Sequence, residues 1–215
     1  MSNDALLKQS VLDELKWEPS VTAAHIGVIA KDGVVTLSGH VENYAEKHAA
    51  ETAVGRVKGV KAVAEELEIR LPFETKRGDD AIAAAAIDRL AWDVSVPRDA
   101  VKVKVEKGWV TLTGQVGWHY QREAAEQDIR RLFGVVGVSN QTTVKPKPDA
   151  SNISDNIMDA LHRTWFDPKT VTVTTEGGKV RLTGTVHSWR DREMAESTAW
   201  AAPGATTVEN DIAII

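Results

Sequence analysis

With no cysteine in the chain, the six histidines, His25, His40, His48, His119, His162 and His187, are the side chains best suited to hold a metal or carry a proton. A zinc site built on them needs two imidazoles at helical spacing, as in His-Glu-x-x-His, or a comparable paired arrangement, and neither occurs. A serine nucleophile needs a strained elbow such as Gly-x-Ser-x-Gly, which is also missing. Gly177-Gly178 is not followed by Gly-Lys-Ser/Thr, so it reads as a turn and not as a phosphate cradle. The acidic pairs Glu65-Glu66 and Asp79-Asp80 read as a solvated strand edge and a helix N-terminus. From these residues no catalytic group, no metal and no cofactor is expected, and the chain reads as a non-enzymatic one.

The aromatic residues are the more informative set. Seven tryptophans stand against three Phe and two Tyr. Trp17, Trp92 and Trp165 fall at equivalent helix ends, where core packing is the expectation. Trp109, Trp118, Trp189 and Trp200, together with Tyr120, are different, because they are set against the basic residues Lys102, Lys104 and Arg122 and the fold does not call for them as core. Indole and phenol rings beside cations suit an anionic or interfacial partner. The competing reading is that these rings pack between modules, and the sequence leaves both open.

The net charge of −5 disfavours general nucleic-acid binding, which needs a surplus of Lys and Arg. A single strand gripped by Trp109 with Lys102 and Lys104 is a weaker option for the same reason. Hydrophobic residues at 42% and charged residues at 27% are those of an ordinary globular protein. No apolar run approaches the ~18 residues of a membrane span. The opening stretch carries Asp4, Asp13 and Glu14 in place of a basic lead and a greasy segment, so a cytoplasmic protein is expected, with envelope association left open.

These residues are set out on a repeat. Gly33-Val-Val-Thr-Leu-Ser-Gly39-His-Val41 returns as Gly108-Trp-Val-Thr-Leu-Thr-Gly114-Gln-Val116 and as Gly178-Lys-Val-Arg-Leu-Thr-Gly184-Thr-Val186. A second landmark follows each: Gly59 leads to Val63, Gly134 to Val138 and Asn140, and Gly204 to Val208 and Asn210. Within each copy the periodicity predicts helix, strand, strand, helix, strand. Leu7, Val11 and Leu15 recur at helical spacing, while Val101, Val103 and Val105 alternate with polar residues as a half-buried strand does. The second helices are expected over 45–57, 121–133 and 191–201, closed by Gly59, Gly134 and Gly204 as C-terminal caps. The third strands follow over 63–69, 138–144 and 208–214. Gly33, Gly108 and Gly178 suit tight hairpin turns. Gly39, Gly114 and Gly184 lie inside strands, where glycine marks a close approach, expected here from a helix packed over them. Asn140 and Asn210 are expected to bond nearby backbone. The fold class is therefore α+β: three tandem α-β-β-α-β modules over 1–73, 74–147 and 148–215, each a three-stranded mixed sheet covered by two helices. The linkers run from Arg70 to Asp79 and from Lys145 to Asn152. Cores this small are marginal, so packing between modules or homo-oligomers would help stability.

These landmarks, Gly-x-Val-x-Leu-x-Gly-x-Val and then Gly-Val-x-x-Val-x-Asn, resemble the BON domain of bacterial osmotic-stress proteins of the OsmY type. Copy two fits best. Copy one carries Glu65 in the asparagine position, and copy three carries Ala205 in place of valine. The resemblance implies a non-catalytic module of stress-response and cell-envelope proteins, thought to bind phospholipid membranes or other partners. It names no catalytic residue. The function expected is binding of anionic phospholipid membrane or envelope-associated partners under osmotic stress. The alternative is a soluble scaffold or chaperone-like protein working through protein contacts at open sheet edges.

Overall fold

A computed structural model describes residues 3–72, 77–146, 152–163 and 170–215. Trp165 and Phe166, and parts of both linkers, lie outside the described residues. The first module runs α1 (Asn3–Trp17), β1 (Ile26–Lys31), β2 (Val34–Val41), α2 (Tyr44–Gly55) and β3 (Ala62–Ile69). The second runs α3 (Asp79–Trp92), β4 (Val101–Glu106), β5 (Trp109–Val116), α4 (His119–Arg130), β6 (Gly137–Asn140) and β7 (Thr143–Val144). The third runs α5 (Ile153–His162), β8 (Val171–Glu176), β9 (Lys179–Val186), α6 (Trp189–Trp200) and β10 (Thr207–Ile214). The expected element order is present in all three.

Each sheet is mixed in the outer modules. β1 pairs antiparallel with β2, and β3 joins β2 in parallel through the α2 crossover. The same plan orders β8, β9 and β10. The hairpin turns form because two successive residues hold positive φ: Asp32 and Gly33, Lys107 and Gly108, Gly177 and Gly178. That pairing matches the right-handed strand twist. The start of the third strand then donates to the turn glycine, Lys61 N to Gly33 O at 2.8 Å and Thr206 N to Gly178 O at 2.8 Å. The first helix also reaches the turn. Asp4 accepts from Asp32 N, and the equivalent Asp79 accepts from Lys107 N and Gly108 N.

The core is the same in kind each time. In module one Val11 and Leu15 of α1, Val35 and Leu37 of β2, and Ala50, Ala53 and Val54 of α2 are fully buried. In module three Ile157, Leu161, Val180, Leu182, Ala195 and Ala199 do this work. Alanine on the second helix lets it lie close to the sheet.

Four expectations are corrected. The glycine inside the second strand is not covered by a helix. A Cβ on Gly39, Gly114 or Gly184 would collide with the backbone carbonyl of His25, Ala100 or Thr170, the residue just ahead of the first strand, and all three glycines hold positive φ. The second helices stop earlier than expected, at Gly55, Arg130 and Trp200. Gly59, Gly134 and Gly204 come four residues later and close a following turn rather than capping the helix directly. The third strand of module two is broken into β6 and β7 around Asn140, whose Oδ1 accepts from both Thr142 N and Thr142 Oγ1 and takes over the local pairing. Finally, Trp17 and Trp92 do not enter the core: they are 83% and 85% exposed.

Contacts divide the chain into two compact units. One comprises 1–92, 103–111 and 126–139, the other 93–102, 112–125 and 140–215, so the middle repeat contributes to both.

Candidate interaction surfaces

Much of the recurring polar chemistry is spent inside the repeat. The second helix and third strand are clamped by a base and an amide. Arg122 donates to Asn140 O at 3.0 Å while Asn140 Nδ2 donates to Arg122 O at 2.8 Å. Arg192 and Asn210 reproduce both bonds, at 2.7 and 3.2 Å, with Arg192 Nε also reaching Ile212 O. Module one keeps the geometry with other residues: Lys47 donates to Leu67 O and pairs with Glu65 at 3.0 Å. Glu65, Asn140 and Asn210 each then accept from the backbone N–H two residues on. The asparagine is therefore architectural, as its expected backbone bonding implies. The basic partner at 47, 122 and 192 was missed as a clamp, although its equal spacing from Gly39, Gly114 and Gly184 was there to be read. Arg122 is half-buried in this clamp and not a surface cation.

The other sequence-selected residues separate as follows. Trp109 and Lys104 belong to the first unit and Lys102, Trp118, Tyr120, Arg122 and Trp189 to the second. Trp109 is half exposed and its ring lies across Gly137, where an added Cβ would force the ring to shift. Lys102 and Lys104 are exposed along β4, and Lys104 pairs with Glu106 at 2.9 Å. Trp189 is half-buried, donates to Glu193 Oε1 at 3.0 Å and carries the Arg192 guanidinium 5.5 Å from its ring centre. Trp118 and Tyr120 meet in an open cleft of about 300 Å³, with Glu123, Ser197 and Trp200 among its walls. Beside it the His119 and Trp200 rings are stacked, 3.9 Å between centroids and 11° from parallel.

Trp17 and Trp92 are therefore the most solvent-exposed tryptophans described, at the same point of two successive modules and at the C-terminal ends of α1 and α3. Val94, two residues past Trp92, is fully exposed as well. Isolated exposed apolar residues are ordinary, but a tryptophan repeated at one position without packing the core is a surface feature of the module itself. Among the described residues, no group of three His, Cys, Asp or Glu is placed to hold a metal ion, and no helix is long and apolar enough to cross a membrane.

The sequence profile of the BON domain matches three stretches of this chain, residues 3–70, 78–146 and 149–215. The chain belongs to the BON-domain family. Among individual relatives, Osmotically-inducible protein Y of Escherichia coli (strain K12) is 31% identical over 147 residues, which is 66% of this chain and 73% of that protein. Two solved structures of CdsD, a structural protein of the type III secretion system of Chlamydia trachomatis, align at 15% identity. One covers 96% of this chain and 91% of CdsD with a TM-score of 0.27, and the other covers 100% and 99% with a TM-score of 0.28. Those scores are too low to carry an argument. The BON assignment rests on the repeat, and the glycines and valines that define it are the turn, close-approach and core residues described above.

One titratable side chain of the first module is shifted by its surroundings. Burial holds the His48 imidazole below its ordinary value, Arg130 lowers it further and Glu126 opposes them. Glu51, 3.9 Å away but more than half exposed, is screened by water and does not reverse the direction. Thr52 Oγ1 faces the ring at 3.5 Å. Because the folded state disfavours the proton, the unfolded chain binds more of it from the ordinary histidine value of about 6.5 downward. Stability of the first unit is thus expected to fall as pH drops through that window. In urea melts followed across it, His48→Gln should flatten the pH dependence of the first transition.

Proposed function

We propose that this BON protein is a non-enzymatic binder of phospholipid surfaces in the response to osmotic stress. The observation that carries the reading is the repeated exposure of Trp17 and Trp92. An indole has a broad apolar body and one N–H donor, so it settles where headgroups meet acyl chains. Burying a large side chain there contributes about 1.5–3 kcal/mol before the cost of association. Two such anchors support weak, reversible, peripheral binding. The nearby charges are balanced, with Lys16 and Glu18 beside Trp17, and Arg89 and Asp93 beside Trp92. Insertion of the rings, more than charge, is then the driving force. The osmotic role is supported by the name of the Escherichia coli relative and by shared membership of the family.

Co-sedimentation with vesicles of mixed anionic and zwitterionic phospholipid tests this at low and moderate salt. The wild-type chain should pellet with vesicles and its tryptophan emission should shift to the blue. Trp17→Ala combined with Trp92→Ala should weaken binding at least about tenfold, the equivalent of losing one anchor. Absence of binding at low salt, or binding indifferent to both substitutions, rejects the proposal.

A further inference from the structure

Ahead of α2 and α6, Asn43 and Ser188 cap the helix by accepting from the backbone N–H of Glu46 and Asp191, three residues on. The equivalent residue ahead of α4 is Trp118, whose indole has a donor and no acceptor. Tryptophan forgoes that cap, and Gln121 Oε1 holds the turn instead by accepting from Gly117 N and Trp118 N. Two more aromatic rings are peculiar to this region. Tyr120 stands where the other modules carry Ala45 and Arg190, and Trp200 where they carry Gly55 and Arg130. The repeat is built without aromatic residues at these three positions, so its fold does not demand them.

Within the second compact unit all three rings line the open cleft of about 300 Å³, whose walls are mostly apolar. His119 and Glu123 lie four apart on α4, and Ser197 and Trp200 three apart on α6, so one face of each helix end contributes. The stack of His119 on Trp200 holds one wall in place. Arg122 can only donate, so its 3.4 Å contact makes His119 Nε2 the acceptor and leaves the ring hydrogen on Nδ1, towards Glu123 at 3.7 Å. The imidazole is then uncharged, and the Glu123 carboxylate is the one formal charge among the lining residues. The negative end of the α6 dipole is offset by the positive start of α4, so Glu123 sets the sign of the cleft. We infer that this cleft binds a quaternary ammonium group of the choline type. Such a cation presents methyl groups, spreads its charge and has no N–H to satisfy, so it leaves water cheaply and is held by aromatic faces. A protonated amine needs several acceptors, and a phosphate needs a cation; the walls offer one carboxylate. The volume lies at the low end of the ~300–1,000 Å³ of small-molecule sites, which suits a ligand of headgroup size. The same chemistry is found in free choline and in the headgroup of phosphatidylcholine. The site uses none of the residues on which the membrane reading rests.

Isothermal titration calorimetry of the full chain with choline chloride, at constant ionic strength and without lipid, reads the site directly. Choline should bind saturably at one site per chain. Its neutral carbon isostere, dimethylbutanol, should bind at least about tenfold more weakly, because it keeps the shape and loses the charge. Tyr120→Leu and Trp118→Leu should each weaken choline binding at least about fivefold, the loss of one ring from the cage. Glu123→Gln should weaken it about threefold, the effect of a partly exposed charge. Tyr120 is 56% exposed, so its variant keeps the fold and decides the matter if Trp118→Leu unfolds by circular dichroism. Co-sedimentation with vesicles of phosphatidylcholine or of phosphatidylglycerol then separates the two sources. A preference for phosphatidylcholine that Tyr120→Leu abolishes assigns the lipid headgroup, and choline binding without that preference assigns the free cation. Absence of choline binding, equal binding of the neutral isostere, or binding unmoved by Tyr120→Leu overturns the inference, whatever the membrane experiment with Trp17 and Trp92 shows.

Discussion

Gly39→Val should cost the first module about 4 kcal/mol and remove its transition from a urea melt, whereas Gly27→Ala, twelve residues earlier, should cost less than about 1 kcal/mol. Both glycines lie in paired strands, opposite neighbouring positions of the same hairpin. They differ in what a side chain would meet. Gly39 holds φ +114, a conformation L-residues rarely adopt, and its Cβ would overlap the backbone carbonyl of His25. That carbonyl leads into β1 and cannot retreat without breaking the hairpin register. At Gly27 the obstacle is Ser38 Oγ, 2.9 Å from the added carbon, which can rotate away. Circular dichroism with urea titration of both variants separates the two cases. Equal losses would show that simple strand propensity, and not the close approach, is the reason for glycine. Gly114 and Gly184 should behave as Gly39 does, since Ala100 and Thr170 stand in the place of His25.

Glu46→Ala is expected to destabilise the same module by about 3 kcal/mol. The carboxylate is 4% exposed and accepts from two backbone donors, Thr22 N at 2.7 Å and Glu42 N at 2.8 Å, while Asn43 caps its own N–H. It ties the loop before β1 and the end of β2 to the start of α2. Removing it takes the acceptor from two part-buried donors, and each such loss costs up to about 1–3 kcal/mol. Glu46→Gln should retain most of the stability, because the second module already uses a neutral amide there: Gln121 Oε1 accepts from Gly117 N and Trp118 N. The third uses the shorter Asp191, which closes a ring with Ser188 instead. A large loss with glutamine, comparable to alanine, would mean that the charge itself is required. Denaturation midpoints of the two variants at neutral pH decide between these outcomes.

The residues that build the BON repeat were legible in the chain because local rules govern them. A hairpin needs two residues at positive φ, and Asp32-Gly33 and Lys107-Gly108 announce it. A buried strand face needs alternation, and Val35 and Leu37 supply it. Asn140 and Asn210 fall in phase with the core yet carry amides, which points to a backbone bond. The clamp of Arg122 and Arg192 was harder, since a cation beside aromatics reads equally well as a surface group until its carbonyl acceptor is in place.

Sequence alone determined the three-fold repeat, the order of elements and the buried stripe, because periodicity and turn chemistry act over a few residues. Tertiary structure decided which aromatic rings reach solvent. Trp17 and Trp92 lie at helix ends that look like core and project outward, whereas the half-buried Trp118 shares a cleft with Trp200, some 80 residues further on in sequence. The physical reason is that exposure depends on what packs from distant parts of the chain, and a helix end carries no period that says which way its last side chain will face.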